Sequence, residues 1–302
     1  MYSVVIPTYN RSGSLLKTLS SVVNQTLPTD NYEVLIIDDG SIDNTEEIVA
    51  RYKQQVASPE IRYFKIKHGG SAAAKNFGIK RARGEIVFFT DDDCVVPKNW
   101  MVTLLDGYRR YPEVVGVGGY FKPPDGENRF FQKTAYLINT LADSFNKEKI
   151  IDNFFSSAAF SANVSYKKDI LEKTGGFDEN ISALASVELR YRIIAKQKEK
   201  ILCIPMFVTH HCDLNFFGYI KKLFRQGRCK QYCNDKYFRG NPPLAFDVTF
   251  WRASKKLFVA FHNILKIKDV KKPDLPAIFI FLFLEALLNA AGGSVEKYFS
   301  KL

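Results

Sequence analysis

Short apolar runs alternate with helical patterns along the first ninety residues of the chain. Five- or six-residue apolar runs predict strands at 2–6, 32–37, 61–66 and 85–89. Between these runs, apolar residues at helical spacing predict helices at 14–24, 44–52 and 71–81. Strands that alternate with helices at this pitch are typical of a parallel sheet covered by helices.

Polar clusters follow three of the predicted strands. Residues 7–10 follow the first strand, Asp38 and Asp39 follow the second, and residues 91–93 follow the fourth. In parallel α/β sheets, ligands bind beyond the carboxyl ends of the strands. We therefore expect a binding site where the three clusters converge.

Three adjacent carboxylates, Asp91, Asp92 and Asp93, have no Lys or Arg between them. Like charges this close would leave one group protonated unless a cation neutralises them. Carboxylate oxygens suit Mg²⁺ or Mn²⁺, which usually completes its coordination shell with substrate phosphates. The cluster thus predicts a divalent cation and a diphosphate substrate, with a solvated acidic turn or helix cap as the alternative.

Two common nucleotide-binding signatures are missing from the sequence. There is no G-x-x-x-x-G-K-[ST] phosphate loop, and no G-x-G-x-x-G follows the first predicted strand. Both absences argue against a phosphate-loop or dinucleotide enzyme.

Positive charge is concentrated in the last third of the chain. The 302 residues carry a net charge of +11, and residues 211–274 hold 14 Lys and Arg against five acidic residues. A basic block interleaved with aromatic residues favours nucleic acid or an anionic membrane surface as a partner. No nucleic-acid-binding signature occurs, so we predict a membrane surface and no nucleic acid.

The apolar run at 275–291 follows the basic block. It is interrupted by Pro276, Glu285 and Asn289, which favours a monotopic helix over a spanning one, with a buried core helix as an equal alternative. Lysines just before the run favour the cytoplasmic face of the membrane. The predicted organisation is a domain at 1–215 and a helical, basic and apolar membrane-associating region at 216–302.

The cysteines favour a reducing compartment. Five scattered cysteines are typical of free thiols rather than of a disulfide scaffold. His210, His211, Cys212, Cys229 and Cys233 are close enough in sequence to suggest zinc, but their spacing is not that of a zinc knuckle. No secretory signal is visible at the N-terminus, and we predict a cytoplasmic location.

An ordered series of motifs resembles the inverting family 2 glycosyltransferases. The motifs are IPTYNR at 6–11, IIDDGS at 36–41, GSAAAKNFG at 70–78, FTDDD at 89–93, SAN at 161–163, GGFDE at 175–179 and VTHH at 208–211. The match covers roughly residues 1–230. It implies a GT-A fold, in which a mostly parallel Rossmann-like sheet is flanked by helices. It also implies a nucleotide-diphospho-sugar donor, UDP above all, and Mn²⁺ or Mg²⁺.

The resemblance implies a nucleotide site at the first two strand ends. Pro7 and Tyr9 match positions that flank the nucleobase, and one carboxylate of Asp38 and Asp39 would accept a hydrogen bond from the base. Further donor contacts are implied for Asn10, Lys75 and Gly176. Lys75 stands where the family often has Arg, and lysine lacks the bidentate fork of arginine.

The resemblance implies a metal site at the fourth strand end. Asp91 and Asp93 match a D-x-D motif, with Asp91 near the ribose and Asp93 on the metal. Asp92 lies between them, in the donor site but without a defined role. His210 matches a late family histidine that would approach the metal or the diphosphate, although a lone histidine is more often structural.

One departure from the family concerns the general base. The family usually has an acidic pair whose Asp takes the acceptor proton, and here Ala185 and Ser186 align with that pair. Such a base contributes about 10²–10⁴-fold, and a serine hydroxyl is too weakly basic to replace it. Asp178, Glu179 or Glu188 could substitute, although Glu188 should face another side of its helix.

The predicted function is a metal-dependent inverting glycosyltransferase. It would move a sugar to a hydroxyl of a glycan or lipid-linked acceptor at the cytoplasmic membrane face. With Ser186 at the base position, three readings stay open: an enzyme with another base, a donor-binding pseudoenzyme, or an engineered loss. A nucleotidyltransferase is a weaker alternative, because residues 7–10 are not a phosphate loop. The amphipathic pattern at 216–232 predicts a helix that closes over the diphosphate or lies on lipid.

Overall fold

The described part of the computed structural model is a mixed sheet of nine strands with helices on both faces. It comprises residues 1–124, 148–151, 162–211 and 216–238, together with Leu287. The strands are β1 (Tyr2–Thr8), β2 (Tyr32–Asp38), β3 (Glu60–Lys65), β4 (Ile86–Phe89), β5 (Cys94–Val95), β6 (Val114–Lys122), β7 (Lys149–Ile151), β8 (Val164–Lys167) and β9 (Lys200–His210).

The helices connect these strands along the chain. They are α1 (Ser12–Val23), α2 (Thr45–Gln55), α3 (Ser71–Arg81), α4 (Trp100–Arg110), α5 (Lys168–Thr174), α6 (Ala185–Tyr191) and α7 (Phe216–Tyr237). Helix α6 continues into a π-helical turn at Arg192–Lys196. All seven elements predicted in the first ninety residues are present, with ends that differ by at most three residues from the predicted ones.

The sheet has a parallel half and a mixed half. Its order is β3-β2-β1-β4-β8-β6-β9-β5, with β7 beside β9. Strands β1 to β4 are parallel, as the alternation of strands and helices predicted. Strand β8 runs antiparallel between β4 and β6, and β5 and β7 pair antiparallel with β9.

Strand β1 extends two residues beyond its predicted end at Ile6. The pairing with β4 stops at Val5, so Pro7 has only β2 beside it. A proline, which lacks an N–H, is tolerated where one side of a strand is free of a partner. The extension carries Thr8 to the edge where β2 ends at Asp38.

The core lies in two layers because neighbouring strand residues point to opposite faces. On one face, the ring of Phe88 lies 5.4 Å from that of Trp100 in α4. On the other face, the ring of Phe89 lies 5.4 Å from that of Phe177. The second contact anchors the segment that follows α5 against the sheet, close to the carboxyl end of β4.

The described part of the predicted C-terminal region is α7, and it packs against the segment between α5 and α6. Cys229 and Cys233 lie in an apolar cluster with Ile181. Lys236 Nζ is 2.6 Å from a carboxylate oxygen of Asp178. Among the described residues, no helix is long and apolar enough to cross a membrane. The predicted monotopic run at 275–291 lies outside the described residues, apart from Leu287.

Glu33 joins three strands at the edge of the sheet opposite the carboxyl ends. Its side chain is fully buried. Its carboxylate accepts hydrogen bonds from Ser3 Oγ (2.8 Å), Arg62 Nη1 (2.7 Å) and the backbone N–H of Arg83 (2.7 Å). Burial alone would raise the pKa of Glu33, but these donors and the charge of Arg62 outweigh it and hold the pKa below the ordinary 4.5.

We expect Glu33→Gln to lower the free energy of unfolding by about 1.5–3 kcal/mol at pH 7, the usual contribution of a hydrogen bond to a charged group. Folding lowers the pKa of Glu33 below 4.5, so the ionised carboxylate stabilises the fold above about pH 4.5. This stabilisation is lost as the pH falls through the pKa of Glu33 in the folded protein. The measurement is urea unfolding from pH 7 to pH 3. The difference from the unsubstituted protein should shrink towards the acid end.

Glu47→Gln is the matched control for this prediction. Glu47 pairs with Arg51 on the surface of α2 and is 60% exposed, and exposed pairs contribute about 0–1 kcal/mol. Two results would contradict the role assigned to Glu33. One is an equal decrease in the free energy of unfolding for both variants, and the other is a decrease for Glu33→Gln that does not change with pH.

Candidate active site

A cleft of about 1000 Å³ opens at the carboxyl ends of β1, β2 and β4. Ten of the predicted site residues line it: Pro7, Tyr9, Asp39, Lys75, Asp91, Asp92, Asp93, Glu179, Ser186 and His210. Five others do not line it: Asn10, Asp38, Gly176, Asp178 and Glu188. The predicted convergence of the three strand-end clusters is therefore present, but not every residue in them faces the cleft.

Each carboxylate of the acidic cluster meets a basic side chain from another part of the chain. Lys75 Nζ lies 3.0 Å from Asp91 Oδ1. Arg11 Nη1 lies 3.1 Å from Asp92 Oδ1 and 2.7 Å from Asp93 Oδ2. Lys75 is buried, and its ammonium group also lies 5.7 Å from the centre of the Phe177 ring.

The environment moves the pKa values of two of these carboxylates in opposite directions. Burial raises the pKa of Asp92 to about 6, although Arg11 acts against the shift. Burial would also raise the pKa of Asp93, but the hydrogen bond and charge of His210, together with Arg11, outweigh it and lower that pKa. Asp93 is thus held ionised beside the imidazole.

Strand pairing brings His210 to the acidic cluster. The two-residue strand β5 follows Asp93 directly and pairs antiparallel with the end of β9, with Cys94 opposite His210. As a result, His210 Nε2 lies 3.0 Å from Asp93 Oδ1. A histidine more than a hundred residues away in the sequence becomes a neighbour of the carboxylates.

Asp93 and His210 fit a divalent cation. Together with Cys94, they place one ligand atom each within 4.8 Å of one another. Cys94 is completely buried, and burial raises the pKa of its thiol well above the ordinary value, so the sulfur stays protonated. Carboxylate oxygen and imidazole nitrogen suit Mn²⁺. The pair Asp93 and His210, with Asp91 nearby, is therefore the donor set that could hold the ion.

Asp39 is the member of the predicted pair that faces the cleft. Its carboxylate accepts hydrogen bonds at 2.8 Å from the backbone N–H groups of Gly69 and Gly70. Tyr9, which is 43% exposed, stacks on the ring of His68 with 4.4 Å between ring centres. His68 Nδ1 in turn lies 2.9 Å from Asp39 Oδ2. The stacked rings and the carboxylate form one wall of the cleft.

Asp38 and Asn10 hold the neighbouring loop together instead. Asp38 is fully buried, and it accepts hydrogen bonds from the N–H of Ser41, at 2.7 Å, and from the hydroxyl of Tyr63. Asn10 has a positive φ of 52°, and its side-chain oxygen accepts from the N–H of Ile42 at 2.8 Å. Neither residue lines the cleft, and of the predicted pair of carboxylates Asp39 is the one that could reach a base there.

Two of the predicted catalytic carboxylates lie outside the cleft. Glu188 is fully buried and forms a two-pronged ion pair with Arg192, with 2.7 Å for each hydrogen bond, and it also accepts from the hydroxyl of Tyr237. Asp178 accepts from Lys236 Nζ and from Tyr232 Oη, at 2.6 and 3.1 Å. Both carboxylates are neutralised by partners that dock neighbouring elements, so neither is placed to act as a base.

Gly176 has a packing role rather than a donor contact. Its φ is +71°, and a Cβ at this position would collide with the side-chain amide of Asn76. Its carbonyl oxygen accepts a 2.6 Å hydrogen bond from Arg192 Nη2. Because residue 176 is a glycine, the segment between α5 and α6 can approach α3, and this places Phe177 beside Lys75.

Glu179 and Ser186 do line the cleft. Glu179 is exposed, and its Oε1 accepts a 2.8 Å hydrogen bond from Asn76 Nδ2. Asn76 also exchanges two hydrogen bonds with the backbone of Phe177, at 2.7 and 2.8 Å. Among the described residues that line the cleft, Glu179 is the one carboxylate without a basic partner.

The sequence reasoning assigned no role to several residues that line the cleft. Arg11 and His68 were overlooked, although both stand next to strand-end motifs, at the start of α1 and after β3. Helix α7, for which the sequence predicts a position over the diphosphate or on lipid, contributes Lys221, Lys222 and Arg225 to the cleft. Their helical spacing was visible in the sequence, but which surface they face was not.

Comparisons with known proteins identify the family. The model described as "Glycosyl transferase family 2" matches residues 3–173, and the chain belongs to this family. AglE of Haloferax volcanii, a glycosyltransferase, is 30% identical over 75% of this chain and 71% of its own length. TarP of Staphylococcus aureus, a poly(ribitol-phosphate) beta-N-acetylglucosaminyltransferase, is 31% identical over 57% of this chain and half of its own length.

A solved structure supports the same conclusion for the fold. The mannosyltransferase PcManGT of Pyrobaculum calidifontis, in complex with GDP-Man and Mn²⁺, superposes with a TM-score of 0.67 at 18% identity, over the whole of this chain and 88% of its own. The protein is thus a glycosyltransferase with the GT-A fold that the motifs implied. The comparisons give no support to the alternative of a binding module without turnover.

We expect Tyr9→Ala to weaken the binding of UDP about tenfold to a hundredfold, because stacking of a base on an aromatic ring contributes about 1–3 kcal/mol. Tyr9→Phe keeps the ring and is the control, which should bind UDP as the unsubstituted protein does. The measurement is calorimetric titration. Equal affinities for Tyr9→Ala and Tyr9→Phe would show that Tyr9 does not contact the base.

Proposed function

We propose that the protein transfers a sugar from a nucleotide-diphospho-sugar, a UDP-sugar above all, to an acceptor hydroxyl with inversion at the anomeric carbon. The observation that carries this proposal is the meeting of Asp93 and His210 with Tyr9 and Asp39 in one cleft. A cation site and a base-sized aromatic wall are the two features that such a donor requires.

Different residues of the cleft bind different parts of the donor. Tyr9 and Pro7 flank the base, and Asp39, already oriented by two backbone N–H groups, accepts a hydrogen bond from it. Lys75 orients Asp91 towards the ribose. Asp93 and His210 hold Mn²⁺ or Mg²⁺, which when bound stabilises the leaving diphosphate as a Lewis acid. Arg11 balances the remaining negative charge of Asp92.

Glu179 is the general base of this proposal. An acceptor hydroxyl must give up its proton as its oxygen attacks the anomeric carbon, and a positioned carboxylate takes that proton. Glu179 lines the cleft, lacks a basic partner among the described residues, and is oriented by Asn76. The adjacent contact of Phe177 with Lys75 links its segment to the acidic cluster.

The acceptor belongs to polysaccharide, glycolipid or cell-surface glycan synthesis in this proposal. Support comes from the name of TarP, which acts on a poly(ribitol-phosphate). The basic and apolar sequence after residue 238 supports peripheral or monotopic attachment to the cytoplasmic membrane face. The proposed division remains 1–215 and 216–302, with α7 as the part of the second region that borders the cleft.

The proposed donor site is tested by titrating UDP and GDP with and without Mn²⁺. One nucleotide should bind only with the ion, and Asp93→Ala should weaken its binding at least about tenfold, as expected for the loss of a charged interaction. Asp106→Ala removes an exposed carboxylate of α4 and is the matched control. If neither nucleotide binds with Mn²⁺ or Mg²⁺, the proposed function is wrong.

The proposed base is tested through the hydrolysis of UDP-sugars and through transfer. Glu179→Gln should lower kcat about 10²–10⁴-fold, with UDP affinity unchanged. Adding Ser186→Asp to that variant should restore part of the rate, because it returns a carboxylate to the cleft where the family usually has one. Glu172→Gln, an exposed site on α5, is the control.

Three results would contradict the assignment of the base. Full activity of Glu179→Gln would remove it from catalysis. A parallel loss of UDP affinity would make Glu179 a donor ligand. Binding of UDP without turnover, even after Ala185→Glu and Ser186→Asp restore the acidic pair, would mean that the chain binds donors without transferring them.

A further inference from the structure

Helix α7 carries a stripe of positive charge along the cleft. Lys221, Lys222 and Arg225 line the cleft together with Gly218. Arg225 is three residues from Lys222 and four from Lys221, so it neighbours both on the helix surface, and the three side chains span about 6 Å at 1.5 Å per residue. We call these three cations the α7 stripe. None of them forms an ion pair with another residue in the described ranges.

The other half of the same helix is tied to the protein. Lys236 and Tyr232 bind Asp178, Tyr237 binds Glu188, and Cys233 is completely buried. These contacts fix the direction of the helix, and they leave the α7 stripe beside the cleft. Three cations at a concave surface, with no carboxylate paired to them among the described residues, form a site for an anion.

The position of the stripe favours the acceptor over the donor. Helix α7 docks on the segment between α5 and α6, which carries Glu179, the proposed base, and on the first turn of α6, which carries Ser186 at the position of the usual family base. A base acts on the acceptor hydroxyl, so the acceptor enters along this segment. The diphosphate of the donor would instead be held by the cation that Asp93 and His210 would bind, at the carboxyl ends of the strands.

We propose that the α7 stripe binds phosphate groups of the acceptor, so that the acceptor is a chain carrying phosphodiesters rather than a neutral glycan. This inference rests on the proposed function. The stripe lines a cleft, which an extended chain can enter and the flat surface of a membrane cannot.

The test uses a short poly(glycerol phosphate) oligomer as the phosphodiester probe and a dextran oligomer of similar length as the neutral probe. The oligomer should bind in the calorimeter, more weakly as salt rises, because added ions screen the attraction. Dextran should not bind. Lys221→Gln with Arg225→Gln should weaken the binding of the oligomer at least about tenfold, with UDP affinity in the presence of Mn²⁺ unchanged.

Two control variants test whether binding of the oligomer depends on the α7 stripe or only on the net charge of the protein. Lys53→Gln with Lys173→Gln removes two exposed cations away from the cleft and should leave binding unchanged. Lys221→Arg with Arg225→Lys keeps both charges and should retain most of the affinity. Circular dichroism during heating checks that all variants are folded.

Several results would overturn the inference. The inference is wrong if the unsubstituted protein does not bind the oligomer. It is also wrong if Lys221→Gln with Arg225→Gln binds the oligomer as tightly as the unsubstituted protein does. A matching loss of UDP affinity would assign the stripe to the donor. If the stripe is needed instead for binding vesicles of phosphatidylcholine with phosphatidylglycerol, it faces lipid. Because the oligomer assay needs no donor, failure of UDP and GDP to bind is a separate result that affects the proposed function alone.

Discussion

Three consecutive carboxylates at the end of β4 are stable only if positive charge reaches them from elsewhere in the chain. The structure supplies that charge from three separate elements: Lys75 from α3, Arg11 from the turn before α1, and His210 from the end of β9. Strand pairing brings these elements to one edge of the sheet, and the ion pairs then hold their side chains against the carboxylates. The cleft opens at this edge.

The parallel half of the fold could be predicted because its strands and helices are long enough to show a period. In the mixed half, β6 and β9 have nine and eleven residues, and the other strands that pair with them are much shorter. Strands β5, β7 and β8 have two, three and four residues, too few for an alternating pattern to be recognised. The pairing of Cys94 with His210, which completes the acidic site, depends on such a strand. The family motifs pointed to His210 where periodicity could not.

Within the site, the sequence identified the clusters but not the direction of each side chain. Asp38 and Asp39 are adjacent, yet one is enclosed by Ser41 and Tyr63 and the other faces the cleft. That choice depends on how the chain leaves β2, which composition does not encode. Glu188 is different, because its i, i+4 spacing to Arg192 on a helix was already a signal for a structural ion pair.

In the segment between α5 and α6, the residues that fix its position are different from the residues that face the cleft. Arg192 binds the carbonyl of Gly176, Asn76 binds the backbone of Phe177, and Lys236 binds Asp178. None of these contacts involves Ser186. The segment can therefore keep its position whichever residue stands at 186, in the first turn of α6, so replacing the usual acidic residue need not disturb the fold. In the proposed mechanism, Glu179 on this segment accepts the proton instead, and the contacts that position the segment stay the same.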